Sequence, residues 1–167
     1  MIYLLIGPIG VGKSTIGQLL AKELNYEFVE LDKIALFKSG YDTIQEALQL
    51  SPTKFKESEL QASKELSTKE NVVIACGGAV VLNQLNFDYF KENGKQVEII
   101  YLKTHNQVQF NRLHEKHKFE KGLHNKIQTN IEKTNQEREY LYNFFADKII
   151  DTTEKSLINV VSEAVKK

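Results

Sequence analysis

Residues 7 to 14 read Gly-Pro-Ile-Gly-Val-Gly-Lys-Ser, an unbroken G-x-x-x-x-G-K-[ST] run, and its flanks leave few folds open. Before it stands an apolar stretch, Ile2 to Ile6, with the length and make-up of a buried parallel strand. After it, Ile16, Leu19, Leu20, Ala21 and Leu24 recur at helical spacing. A strand, a glycine-rich loop and a helix in that order form a phosphate cradle. The glycines let the backbone curl so that successive N–H groups face inward, and the helix N-terminus adds its positive end. Gly7, Gly10, Val11, Gly12, Lys13, Ser14 and Thr15 are therefore the expected nucleotide-binding residues. Lys13 can reach the β- and γ-phosphates, and the Ser14 hydroxyl can hold Mg²⁺. The chain reads as a binder of nucleoside triphosphate.

Charge and composition remove several kinds of triphosphate-binding protein. The 22 basic and 22 acidic residues cancel, so nothing points to capture of nucleic acid or of an anionic membrane surface. No apolar run approaches the roughly 18 residues of a membrane span. The first strand begins at Ile2, so no secretory leader is expected. A lone cysteine, Cys76, cannot form an internal disulfide; it fits a reducing cytoplasm and reads as a small buried residue at a strand end. The 167 residues suit one domain with a full core, expected to act as a monomer on small molecules. Arginine stands only at 112 and 138 among those 22 basic residues. An arginine in a lysine-dominated chain points to a need for its planar fork of donors.

The hydrophobic pattern alternates strand and helix from end to end. Tyr26 to Leu31 reads as a second strand, with helical pieces at Lys33 to Lys38 and Thr43 to Leu50, the latter capped by Thr43. Ser51-Pro52 opens a helix to about Ser67. Asn71 to Ala75 is a third strand stopping at Gly77-Gly78, Asn83 to Asn93 a helix closed by Gly94, and Val97 to Leu102 a fourth strand. Thr104 is the expected cap of the next helix, which runs to about Glu115. The periodicity fails from His114 to His124, and a long helix then covers about Asn125 to Phe145. Lys148 to Asp151 is a fifth strand, with Thr153 as cap of a terminal helix. The expected fold is α/β: a five-stranded parallel sheet with helices on both faces, as in P-loop proteins of the small-kinase type, with ligands at the carboxyl ends of the strands.

Triphosphate binding alone leaves kinase, GTPase and mechanical ATPase open. The guanine-reading N-K-x-D tetrapeptide does not occur, and Val72 to Cys76 lacks the acid with which motor ATPases end an apolar strand. A small kinase remains, with nucleotide and acceptor in one crevice.

The residues then resemble one family, shikimate kinase, along nearly the whole chain. The loop Gly7 to Thr15 with its helix is similar to that family's opening. Phe28-Val29-Glu30-Leu31-Asp32 resembles its strand ending in two acids one residue apart, and Gly40 follows Asp32 by eight residues as in the family. Phe55-Lys56-Glu57-Ser58-Glu59 resembles Phe-Arg-x-x-Glu, and Val72 to Val80 an apolar strand running into a triple-glycine turn. Arg138-Glu139-Tyr140-Leu141-Tyr142 is similar to Arg-x-Pro-Leu-Tyr, and Ile150-Asp151-Thr152 to Val-Asp-Thr.

The resemblance implies ATP-dependent phosphorylation of a hydroxyl on shikimate, with Mg²⁺. It implies that Asp32 orients and activates the acceptor hydroxyl, that Gly77 and Gly78 present backbone N–H groups to the acceptor, and that Arg138 and Lys56 hold its carboxylate. Glu30 would join Ser14 at the metal through water, and Arg112 would lie near the nucleotide. Residues 113–124 would form the lid, with Lys121 in place of the family's lid arginine and Lys118 as competitor; the acceptor region would be 32–66. Core segments would be 1–31, 71–112 and 125–167. Bland readings stand beside these: Asp32 as a helix cap, Glu30 as a solvated strand residue, Arg138 as a surface ion pair. His114, His117 and His124 read as solvated side chains rather than metal ligands, and Phe37, Tyr41 and Phe55 as core.

Three positions depart from the family pattern. Lys56 stands for arginine, Lys121-Gly122-Leu123 for an arginine-proline-leucine-leucine lid, and Glu30 for aspartate. Two further readings therefore stay open: a related kinase acting on another small hydroxylated metabolite or a nucleotide, and a non-catalytic ATP-binding switch.

Overall fold

In the computed structural model, which describes residues 1–92 and 94–166, five parallel strands form one sheet in the order β2-β3-β1-β4-β5. β1 (Ile2–Ile6) leads through the loop into α1 (Lys13–Leu24), β2 (Glu27–Glu30) and α2 (Leu31–Ser39). α3 (Ile44–Leu50) and α4 (Pro52–Leu66) precede β3 (Val72–Ala75), α5 (Leu85–Glu92) and β4 (Val97–Lys103). α6 (Asn106–His117), α7 (His124–Phe145), β5 (Lys148–Asp151) and α8 (Leu157–Val165) complete the chain. Asn93, the expected last residue of the α5 helix, lies outside the described residues.

β1 is buried along its whole length because both faces of the sheet are covered. The side chains alternate as a strand requires. Ile2, Leu4 and Ile6 pack with Ile74, Phe87, Phe90 and Tyr142 on one side, while Tyr3 and Leu5 pack with Ile16, Leu20, Val160 and Val161 on the other. The central strand therefore holds the loop after Ile6 on a scaffold that cannot slip register without exposing one set.

Several local expectations shift by physical detail. α2 starts at Leu31, directly after β2, so Asp32 sits in a first helical turn rather than at the end of a strand. Thr43 caps α3 as expected, its hydroxyl accepting from the Glu46 N–H at 3.1 Å. Thr104 does not cap α6: the cap position is His105, and Thr104 instead contacts the Thr153 hydroxyl. Thr153 in turn is tied to Asp151, so α8 is capped by Ser156, which accepts from the Asn159 N–H. Phe55 is core and Tyr41 packs against it, but Phe37 is exposed. Among the described residues no helix is long and apolar enough to cross a membrane.

Candidate active site

The loop between β1 and α1 is held from behind. Gln109 of α6 donates to the Ile9 carbonyl at 2.7 Å, and Arg112 donates to the Val11 carbonyl at 3.2 Å. Arg112 also grips Thr152 at the end of β5, through its hydroxyl and its carbonyl. A Cβ at Gly10 would lie 2.8 Å from Leu113 Cγ, so α6 packs directly on the loop. Gly12 has φ +102° at the cap of α1, a conformation that costs glycine little, and it turns the chain into the helix. With these carbonyls bound behind, the forward N–H groups and the α1 N-terminus form an anion cradle.

A cavity of about 580 Å³ opens in front of the loop. It is lined by residues 9–16 together with Glu30, Asp32, Gly77, Gly78 and Arg112. Lys13 reaches into it, donating to the Gly7 and Pro8 carbonyls at 2.8 and 2.7 Å. Burial lowers its pKa to about 8, against the opposing pull of the Asp32 carboxylate. Such an ammonium is poorly solvated and suited to a dense anionic partner.

Glu30 and Ser14 meet at the cavity wall, the hydroxyl donating to Glu30 Oε1 at 2.5 Å. Burial acts to raise the Glu30 pKa, but the bonds from Lys33 and Ser14 outweigh it and hold the carboxyl below its ordinary range. Glu30 thus ends β2 as a half-buried carboxyl bonded to the Ser14 hydroxyl and paired with Lys33. One hydroxyl and one carboxylate cannot close a metal site alone, and no cluster of three metal-ligating side chains occurs among the described residues. The donors suit Mg²⁺, which keeps several waters and takes the rest of its oxygens from phosphate.

Asp32 faces Lys13 from the first turn of α2. Burial raises its pKa, Lys13 opposes that, and the Gly77 N–H donates to the carboxylate. It makes no cap bond, since the α2 cap position is Glu30. Behind it lies Glu59, buried and bonded by the Asn86 amide at 3.2 Å, while the Ser63 hydroxyl donates to Asn86 Oδ1. Burial, then the nearby Asp32 charge, pushes Glu59 up to about 7.

Among the described residues Arg138 forms no surface ion pair. Its guanidinium donates to the Gly78 carbonyl at 3.1 Å, and the Tyr142 hydroxyl donates to the same oxygen at 2.5 Å. Gly78 is therefore fixed from α7 and Gly77 from α2. Lys56 is exposed on α4, close enough to Glu59 to pull its pKa down. Neither Arg138 nor Lys56 lines the cavity among the described residues.

The lid segment differs from expectation. α6 extends to His117, Lys118 takes a left-handed conformation (φ +51°), and Lys121 and Lys118 are exposed and do not line the cavity. Lys116 and His117 do line it, along with Lys33 and Lys155. Of the three imidazoles expected to be solvated, only His117 is exposed. His114 stacks on Phe110 and lies 4.7 Å from the His124 ring, both packed near Phe119.

Glu59, Gln109, Tyr142 and Thr152 received no role from the sequence. Gln109 carried a signal: it falls with Phe110 and Leu113 on the buried face of α6, a polar residue beside two apolar ones.

Comparison with known proteins agrees with this geometry. A family model described as shikimate kinase matches residues 9–167. A shikimate kinase of Legionella pneumophila (strain Corby) is 34% identical over 163 residues, covering 97% of this chain and 91% of the relative. The crystal structure of shikimate kinase from Aquifex aeolicus vf5 superposes with a TM-score of 0.77 at 27% identity, covering 99% of this chain and 94% of the other. A shikimate kinase from Acinetobacter baumannii in complex with shikimate shares the fold, with a TM-score of 0.83 at 23% identity, over 98% of this chain and 90% of that one.

Proposed function

The chain belongs to the shikimate kinase family, and we propose that it transfers the γ-phosphoryl group of ATP to the 3-hydroxyl of shikimate. The observation that carries this reading is the pairing of Asp32 with Lys13 in one cavity with the phosphate-binding loop. A bond forms between the acceptor oxygen and the γ-phosphorus as the bond to the β,γ-bridging oxygen breaks. The hydroxyl proton passes to the Asp32 carboxylate, and ADP leaves. Catalysis of this kind rests on positioning and charge neutralisation, which is what the residues provide.

Each group has a place in that scheme. The loop N–H groups hold the phosphates, Lys13 leaves the loop carbonyls for the β- and γ-phosphate oxygens, and Arg112 with Thr152 borders the nucleotide. Ser14 and Glu30 would hold Mg²⁺, which when bound neutralises phosphate charge. Gly78, fixed by Arg138 and Tyr142, forms the acceptor floor. Arg138, which braces Gly78, and Lys56 of α4 would take the acceptor's carboxylate, and lid closure would carry Lys121 toward the transferring group. The free, buried Cys76 fits a reducing cytoplasm, and the reading is of a monomer there.

The test is ADP release with shikimate, gluconate, nucleosides and nucleoside monophosphates as acceptors. Shikimate should give the highest kcat/KM. Shikimate at background beside another active acceptor would replace this reading with a related kinase; no turnover with any, alongside tight ATP binding, would leave the switch.

A further inference from the structure

Lys33 has no part in the scheme above, and it stands where a lysine is not expected. It is the third residue of α2, within the first turn, where the positive end of the helix disfavours a cation. Its ammonium turns back to pair with Glu30, at the α2 cap position, and it lines the main cavity. Glu30 makes no side-chain cap bond to the helix it precedes. Its Oε1 accepts instead from the Ser14 hydroxyl at 2.5 Å, while Oε2 is held by Lys33. Both carboxylate oxygens are therefore engaged, one by the phosphate loop and one by the lysine. Lys116, in the last turn of α6, also acts on Glu30, but through its charge alone and with no ion pair among the described residues.

Exposure decides what the Lys33 pair can do. The Lys33 side chain is 78% exposed and that of Glu30 20%. A pair so open to water is weak, and its ammonium can leave for solvent at little cost. A divalent cation attracts the same carboxylate more strongly than one ammonium does.

We propose that Lys33 is a tethered counter-ion for Glu30, which neutralises that carboxylate beside the phosphate loop until Mg²⁺ replaces it. Lys33 thereby sets how strongly nucleotide binding depends on the metal, an inference that rests on the reading of Ser14 and Glu30 as the groups that hold Mg²⁺. Two effects of opposite sign follow. Without metal, Lys33 masks a negative charge that would repel the phosphates, so nucleotide binds more tightly. With metal, Lys33 competes for Glu30 and raises the Mg²⁺ concentration required. At saturating Mg²⁺ the lysine has left the carboxylate and the two effects offset, as linkage requires. Lys33 acts through Glu30 and is a positioning residue.

The test is calorimetric binding of ADP, in EDTA and across a Mg²⁺ titration, to wild type, Lys33→Gln, Glu30→Gln and the double variant. Lys33→Gln should bind ADP about 3-fold more weakly in EDTA and reach its Mg²⁺ midpoint at about 3-fold lower concentration. Its Kd for ADP at saturating Mg²⁺ should match wild type. Glu30→Gln should raise the Mg²⁺ midpoint, and in that background Lys33→Gln should add nothing. Wild-type behaviour of Lys33→Gln both in EDTA and in the Mg²⁺ midpoint overturns the proposal while leaving the metal reading in place. So does an equal loss of ADP affinity with and without Mg²⁺ that persists beside Glu30→Gln, since it puts Lys33 on the phosphates directly. A Mg²⁺ midpoint that Glu30→Gln leaves unchanged overturns the metal reading of Glu30, and the counter-ion role with it.

Discussion

A Cβ on Gly77 would stand 2.2 Å from Asp32 Oδ1 and 2.8 Å from Oδ2. Gly77 is glycine because the carboxylate of Asp32 occupies the space where its side chain would be, while its N–H donates to that same carboxylate. Gly77→Ala should therefore move Asp32 away from Lys13. Displacement of a reacting group by about 1 Å costs on the order of 10²-fold in rate. Turnover should fall by about that factor with the KM for ATP little changed, measured in steady-state assays on folded protein. A Gly77→Ala enzyme with unaltered kcat would show that the Asp32 position does not matter.

How far the sequence reached is clearest around this pair. The family resemblance puts Asp32 and Gly77 among the expected site residues, and both line the one cavity. Their contact with each other was not legible, since it joins α2 to the end of β3 across 45 positions of chain. Gly77 was expected to face the acceptor with its N–H and faces Asp32 instead. The sheet and most helices follow from periodicity, whereas the expected caps at Thr104 and Thr153 are not formed, because the Thr104 hydroxyl meets Thr153 from a distant part of the chain and the Thr153 hydroxyl bonds its near neighbour Asp151. Glu59 lay inside a recognisable motif, but its burial beside Asn86 depends on α4 packing against α5, which no local pattern states.

The charge on Asp32 can be separated from its shape with Asp32→Asn. Turnover should drop by ~10²-fold or more while nucleotide affinity holds. The wild-type pH profile supplies a second readout. Asp32 must be ionised to take the hydroxyl proton, and burial raises its pKa above the ordinary aspartate value of 3.8. The acid limb of kcat/KM should lie above that value and disappear in the residual activity of Asp32→Asn. An unshifted limb in both proteins would assign it to another group.

Glu59 should make stability fall as pH rises. Its carboxyl titrates near 4.5 when unfolded and at about 7 when folded, so the native state binds more protons between those values. The stabilisation is complete below about pH 4.5 and is lost as pH climbs through about 7. The shift corresponds to a loss of roughly 3 kcal/mol at most. Glu59→Gln should flatten this part of the Tm–pH curve and leave wild type the less stable protein at pH 8. Parallel curves for the two proteins would contradict the burial-driven shift.

Lys13→Ala should leave the fold intact and reduce turnover by at least ~10³-fold, through loss of charge stabilisation on the migrating phosphoryl group. Circular dichroism and thermal melting check the first part and single-turnover kinetics the second. Because Lys13 opposes the burial-driven rise in the Asp32 pKa, its removal should also move the acid limb of any residual activity further upward. Near-normal transfer by the folded variant would defeat the phosphate-loop assignment.

The acceptor end is tested through Arg138 and Lys56. Arg138 is anchored at Gly78, so Arg138→Ala loses both a carboxylate partner and a brace on the acceptor floor. The KM for shikimate should rise far more than that for ATP. Lys56 lies on the exposed side of α4 near Glu59, with room for a longer side chain. Lys56→Arg restores a planar fork, which takes a carboxylate through two parallel bonds where an ammonium acts as a point charge. Shikimate KM should hold or tighten, by up to ~10-fold where a second bond forms. If Lys56 is matched to a different acceptor, Lys56→Arg should instead harm the native reaction, and shikimate should be poor in both proteins. Shikimate kcat/KM at background in wild type and Lys56→Arg alike would remove shikimate as the acceptor, while the kinase fold and its phosphate loop would stand.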